Sequence, residues 1–251
     1  MEENFNDLVN QFKKINKKGY IRGINNNIVN SCGLTFESLL NKRIDSMCFP
    51  DYKDIEIKCK QRYSRYDISL FSLSFDGPEL FESNYLLQCY GKENHNFDNK
   101  KELFVNLKYG KKIHVNNKYY FELDIDEKNK RILINIYDFN YKLIEKRGFI
   151  DFDTIDKRTN VKLKNLALVY ASKKKKEEQL FFRYYKIMCL KYNGFDTFLT
   201  LLKQNVNKVS LILRFSKPYG TLGKNLNKNM VFQINDSEIE KLYKKIYFYE
   251  N

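Results

Sequence analysis

The run FPDYKDIEIKCK at residues 49–60 restricts what this chain can fold into more than any other stretch. Ile55 and Ile57 are β-branched and alternate with Glu56 and Lys58. In a strand of period two the isoleucines face a core while Glu56 and Lys58 project together from the other side. Asp51 follows Pro50 at the start of the run, so two carboxylates and an ammonium share one polar pocket on a sheet. Hard carboxylate oxygens suit Mg²⁺, which keeps part of its water, and Asp51 with Glu56 can hold it. An ammonium such as Lys58 can then orient or deprotonate water and stabilise charge growing on a phosphate. That order of groups suits metal-dependent phosphodiester cleavage. The same spacing also arises on an exposed hairpin face with a surface ion pair, because 30% of the chain is charged.

The flanks narrow the choice. GLTFESLLNKRI, residues 33–44, reads as a short helix beginning near Thr35, with Phe36, Leu39 and Leu40 on one side and Glu37 displaced from that stripe. RYSRYDISLFSLSFDGP, residues 62–78, reads as a strand stopped at Asp76-Gly77-Pro78. In this order of G-x-T-x-E-x-L-L helix, PD hairpin, E-x-K strand and S-L-F strand, the chain resembles the MvaI/BcnI type II restriction endonucleases, which are related to the mismatch-repair nickase MutH. The resemblance implies a mixed α/β PD-(D/E)xK core with a C-terminal DNA-reading lobe. It makes Glu37 the family's helical glutamate and Asp51, Glu56 and Lys58 its catalytic triad. It also implies double-stranded DNA as substrate and a monomer that cuts the two strands in separate events. A restriction enzyme further requires a cognate DNA methyltransferase as genetic partner.

The layout of residues 162–234 is similar to the C-terminal half of that family. A strand follows a K-x-x-x-L-x-L-V segment, then come an aromatic strand, a helix, a strand with an arginine, a Gly/Lys loop and a final strand. Arg214, Lys217, Tyr219, Lys224, Asn225, Lys228 and Gln233 are the candidate DNA-binding residues of this part. The resemblance places a base-contacting arginine at Arg214. The family's His-containing turn and a later arginine are replaced by Lys228-Asn229 and Gln233. Arg pairs with guanine and Gln with adenine in the major groove, so the target is expected to include A·T positions. Although GTLGK holds Gly220, Gly223 and Lys224, it lacks the spacer and the Ser/Thr of a Walker A loop, which argues against ATP binding. The run SKKKKEE, residues 172–178, reads as a solvated hairpin turn in preference to a phosphate-contacting tip. Residues 1–160 are expected to form the catalytic lobe and residues 161–251 the strand-rich recognition lobe, with a soft break near 157–163.

Charge agrees with a polyanionic partner. Lys and Arg number 45 against 31 Asp and Glu, a formal net charge of +14 that attracts nucleic acid and makes binding salt-dependent. With 251 residues, 20 Phe and 19 Tyr, the chain can bury a sizeable core. Phe5, Leu8, Val9, Phe12 and Ile15 recur at helical intervals, giving an N-terminal amphipathic helix and not a signal peptide. No apolar run approaches the roughly 18 residues of a membrane span, so a cytoplasmic protein is expected. The five cysteines form no C-x-x-C pair, and His95 and His114 are the only histidines, which argues against a disulfide framework or a zinc site. A Cys/His nucleophilic pair has no local signature but stays open.

Between them, YFELDIDEKNKRILINIYD reads as a hairpin with Phe121, Leu123 and Ile125 facing Ile132, Ile134 and Ile136. The intervening Glu122, Asp124 and Asp126 read as a solvated strand face in preference to a metal site. Three functions remain at this level: a type II restriction endonuclease, a MutH-like strand nickase answering to partner proteins, and a non-catalytic DNA-binding module. Metal-dependent cleavage separates the last from the others, and independence from partner proteins separates the first two.

Overall fold

The computed structural model describes residues 2–26, 31–40, 50–77, 79–94, 100–204, 208–218 and 226–251. The chain divides into two compact units, neither continuous in sequence. The first comprises Met1–Ile68, Asn160–Asn193 and Ile239–Asn251, and the second Ser69–Thr159 and Gly194–Glu238.

In chain order, α1 (Glu2–Asn16), β1 (Ile21–Arg22), α2 (Ser31–Leu39) and β2 (Glu56–Gln61) begin the first unit. There follow β3 (Ile68–Ser72), α3 (Glu79–Tyr90), β4 (Lys92–Asn94), β5 (Lys100–Leu107), β6 (Ile113–Val115), β7 (Tyr119–Asp126), β8 (Arg131–Asp138) and β9 (Leu143–Asp151). Helix α4 (Phe152–Lys162) returns the chain to β10 (Asn165–Lys176) and β11 (Gln179–Tyr192) of the first unit. After α5 (Phe195–Lys203), β12 (Val209–Pro218) and β13 (Asn227–Ile234), the chain closes on α6 (Ile239–Leu242) and β14 (Tyr243–Glu250).

The sheet of the first unit runs β1-β11-β10-β2, with β14 also on β11. Strands β10 and β11 form a hairpin turning at Glu177-Glu178, whose φ values of 48° and 62° match a primed two-residue turn. Lys173 to Glu178 are all exposed there. Helix α1 covers the sheet with Phe5, Leu8, Val9, Phe12 and Ile15, the stripe that the periodicity predicts. Its first turn is acidic and its last turn basic, which suits the helix dipole. Beneath it lie Phe36, Ile55, Ile57, Ala167, Val169, Phe182 and Tyr184.

Strand β2 pairs in parallel with β10, placing Glu56 opposite Leu166 and Lys58 opposite Leu168. That pairing is why a single break near residue 160 does not describe the division of the chain. The strand carrying Glu56 and Lys58 completes its hydrogen bonding only with residues beyond the break, so 160–193 and 239–251 belong to the same unit.

Helix α2 begins at Ser31 and not near Thr35. Ser31 Oγ donates to the Asn25 carbonyl at 2.7 Å, and Thr35 Oγ1 accepts from the Ile24 N–H at 3.1 Å, so both hydroxyls fasten the preceding loop to the helix. Cys32 and Phe36 are buried, whereas Leu39 and Leu40 are half-buried. The strand expected over 62–78 is confined to Ile68–Ser72, because Arg62 to Asp67 form a turn and loop; Pro78 lies outside the described residues.

The second unit holds two sheets, β3-β13-β12-β5-β4 and β6-β7-β8-β9. In the latter, Phe121, Leu123 and Ile125 oppose Ile136, Ile134 and Ile132, as the alternation predicts. The acidic alternates are tied to residues of the neighbouring strand or of the connecting turn. Glu122 accepts from the Tyr137 hydroxyl at 2.5 Å, Asp124 from Asn135 Nδ2 at 2.9 Å, and Asp126 from Asn129 Nδ2 at 2.7 Å. Helix α4 occupies the stretch that the sequence marks only as a soft break. Asp76 braces its start, accepting from the Asp151 N–H at 2.6 Å and the Thr154 hydroxyl at 3.0 Å. Among the described residues no helix is long and apolar enough to cross a membrane.

Candidate active site

A tight turn delivers the first carboxylate. Tyr52 and Ile55 exchange backbone hydrogen bonds of 2.9 and 2.8 Å, with Lys53 at a φ of 53°. Asp7 of α1 fastens this turn, accepting from Lys53 Nζ at 2.6 Å and from the Tyr52 hydroxyl at 2.8 Å. Those two donors, Lys53 first, hold the Asp7 carboxyl below its usual range. Asp54 is committed to the scaffold, accepting from Asn4 Nδ2 and Asn165 Nδ2, both at 2.8 Å. Asp51 is therefore carried to the open edge of β2, where its Oδ2 accepts from the Ile57 N–H at 2.9 Å. Among the described strands β2 ends its sheet, so that amide points away from β10 and is available to a side chain.

Alternation places the strand residues as expected, with Ile55 and Ile57 in the core at 1% and 3% exposure. Glu56 is itself buried, at 6%. Leu166, in register with Glu56, and Leu168, in register with Lys58, are also buried, so both faces of this part of the sheet are covered. An ionised carboxylate so removed from water is costly unless paired. Two ammonium groups pair it: Lys58 Nζ lies 2.8 Å from Oε1, and Lys162 Nζ 3.2 Å from Oε2. Tyr243, buried at 1%, feels the same carboxylate. Its phenol is pushed well above the usual range by burial first, with the charge of Glu56 adding.

Glu37 approaches from α2. The Cys59 thiol is held well above its usual range, first by a hydrogen bond with Cys32, then by burial, with the negative fields of Glu37 and Asp51 contributing. Both carboxylates therefore lie close enough to Cys59 on β2 for their charge to reach it. Among the described residues no group of three or more His, Cys, Asp or Glu side chains forms a metal cage. Mg²⁺ needs none, since one or two carboxylates with water and substrate phosphate suffice. Asp51 and Glu56, both hard oxygen donors at the start of β2, fit that requirement.

The model of the MvaI/BcnI restriction endonuclease family matches residues 9–243. The chain belongs to this family. It is a type II restriction endonuclease, a site-specific nuclease with a mixed α/β fold. Two solved structures of restriction endonuclease MvaI are similar to it, each 21% identical and each matched over 98% of both chains. One, with cognate DNA substrate, superposes with a TM-score of 0.86, and the other, in the absence of DNA, with 0.63. No curated protein matches.

Lys162 is the site residue that the MvaI/BcnI-like pattern contained but the reading of the catalytic run omitted. It ends α4 and meets Glu56 across 106 positions of sequence. The available signal was the K-x-x-x-L-x-L-V segment, in which Lys162 precedes the very strand that pairs with β2.

The structure disperses the family-derived DNA-binding candidates that it describes. Arg214 is exposed on β12, its guanidinium 5.2 Å from the ring of Phe104. Lys217 is half-buried farther along that strand. Lys228, exposed on β13, is in register with Phe215 and so projects from the opposite face to Arg214, which is in register with Asn229. Gln233 shares the face of Arg214 but sits at its buried end, opposite Ser210 and 9% exposed. Arg214 and Gln233 are therefore not brought together as one reading surface. Tyr219, Lys224 and Asn225 lie outside the described residues.

Proposed function

We propose that this endonuclease cuts both strands of duplex DNA at a short sequence by Mg²⁺-assisted hydrolysis at Asp51, Glu56 and Lys58. The observation that carries this reading is the buried Glu56 carboxylate, paired with Lys58 and Lys162 beside the edge amide that orients Asp51. Asp51 and Glu56 would hold the ion, which when bound would supply Lewis-acid polarisation of the phosphate and a more acidic water. Lys58, whose side chain is 30% exposed, orients the attacking water and offsets negative charge gathering on the phosphate oxygens. Lys162, 3.2 Å from Oε2, pairs with Glu56 and keeps it aimed. Glu37 offers a further carboxylate for positioning water or metal.

Duplex DNA as substrate is supported by the net charge of +14 and by the similarity to MvaI, which was solved with cognate DNA. Arg214, Lys217 and Lys228, with Tyr219, Lys224 and Asn225, contact that duplex, and the burial of Gln233 makes Arg214 the stronger candidate for reading a base. The enzyme acts as a monomer in the cytoplasm, its host DNA protected by a cognate methyltransferase. Digestion of plasmid DNA with Mg²⁺, followed by run-off sequencing, should give double-strand breaks at one short site. Undiminished cutting in excess EDTA would overturn the metal assignment, and nicks confined to one strand would overturn the restriction mode.

A further inference from the structure

Strand β2 continues beyond its catalytic groups. By alternation Glu56, Lys58 and Lys60 share one side, and Arg62 prolongs it, from nearly full burial at Glu56 to an exposed Arg62. The Arg62 N–H donates to the Ala171 carbonyl at 2.8 Å, so the strand's pairing with β10 reaches into the loop. The Ser64 N–H then closes a turn onto the Gln61 carbonyl at 3.0 Å. Tyr63 is the third residue of that turn and has a φ of 65°. This position favours Gly or Asn, and a bulky residue there is an outlier that costs backbone free energy.

Solvation does not favour it either. Tyr63 is 87% exposed and Tyr66 85%, the two most exposed large apolar side chains among the described residues. Arg62 lies over the Tyr63 ring at 5.2 Å and over Tyr185 at 5.8 Å, and the Tyr66 N–H donates to Ser64 Oγ at 3.3 Å. The loop thus presents two arginines and two aromatic rings to solvent, tied at its base to the catalytic sheet.

We propose that the Arg62–Tyr66 loop is a DNA-holding site, at which Arg62 and Arg65 meet phosphates and Tyr63 and Tyr66 lie against the deoxyribose faces of the duplex being cut. The inference rests on the nuclease reading above. Four residues of extended chain, at about 3.3 Å each, carry the chain roughly 13 Å from Lys58 to Arg62, about the width of a DNA major groove. A duplex with a phosphate at Lys58 therefore reaches the loop. With Arg62 and Arg65 on phosphates and the two rings on deoxyribose, the contacts go to the backbone and carry no base information, so holding at this loop is independent of sequence.

The test is equilibrium binding of the full-length protein, in Ca²⁺, to a cognate and to an unrelated duplex over a salt series. Tyr63→Ala/Tyr66→Ala should weaken both duplexes about tenfold or more and leave the salt slope unchanged. Arg62→Ala/Arg65→Ala should weaken both and reduce the slope by about 2. Tyr63→Gly, which relieves the backbone, should keep or raise the melting temperature and still bind DNA more weakly. It reads the loop even if the double variants unfold. Wild-type affinity in all three variants overturns the loop assignment alone, as does a loss confined to the cognate duplex. A wild-type protein that neither binds nor cuts DNA overturns the nuclease reading together with the loop.

Discussion

Glu56 has almost no access to water, so its free energy depends on the two ammonium groups that face it. The lysines are not equivalent. Lys58 has 30% of its side chain open to solvent and Lys162 only 14%. Lys58→Ala should lower cleavage about 10²–10³-fold in a single-turnover assay while changing the melting temperature little. Lys162→Met should cost both rate and about 1–3 kcal/mol of stability, because it leaves a buried carboxylate short of a charged partner. A Glu56→Gln change made in that background should then cost less than it does alone, a coupling that a double-mutant cycle of denaturation midpoints would detect. Equal stability losses for both lysine variants would contradict the asymmetry. A hydrogen bond with Cys32 and burial push the Cys59 thiol well up, and burial pushes Cys189 up to about 12, so both are poor sources of thiolate at neutral pH.

At the scale of elements, the turn before β2 is fastened to α1 by Asp7, beside the Asn4–Asp54 hydrogen bond. Asp7 is held below its ordinary value of 3.8 by Lys53 and Tyr52, so its contribution to stability is complete above that value and is lost as pH falls through the lowered one. Asp7→Asn should therefore melt below wild type at neutral pH, and the gap should close in acid. A gap of undiminished size in strong acid would mean that the substitution removes something other than the charge. Elements whose own periodicity decided their packing were legible: α1, with its apolar stripe, and the β7–β8 hairpin, with its isoleucine ladder. The start of α2 and the shortness of β3 were not. The first rests on hydroxyl contacts to a neighbouring loop, and the second on a turn with positive φ at a tyrosine, where no Gly or Asn announces it.

For the whole molecule, the discontinuous division has a direct consequence. A fragment ending at residue 160 keeps Asp51, Glu56 and Lys58 but lacks β10, β11 and β14, leaving β2 without its hydrogen-bonding partner and α1 without the sheet it covers. It should be unfolded by circular dichroism and inactive. A cooperative melting transition from that fragment would show that the first unit needs less of the chain than its sheet suggests. The net charge belongs to this scale too, since it sets the salt sensitivity of DNA binding and not the fold.

The sequence by itself determined the strand that bears Glu56 and Lys58, the burial of Ile55 and Ile57 beside them, and the family to which the run belongs. Those follow from a period-two pattern and a motif, both local. Tertiary structure alone decided that Glu56 would be enclosed with Lys162, that Asp51 would be oriented by a backbone amide, and that Arg214 and Gln233 would lie at opposite ends of one face. Each of these depends on which strand pairs with which and in what register. Register follows from the hydrophobic patterns of both partner strands and from the turns that join them, so the spacing within one segment alone does not encode it.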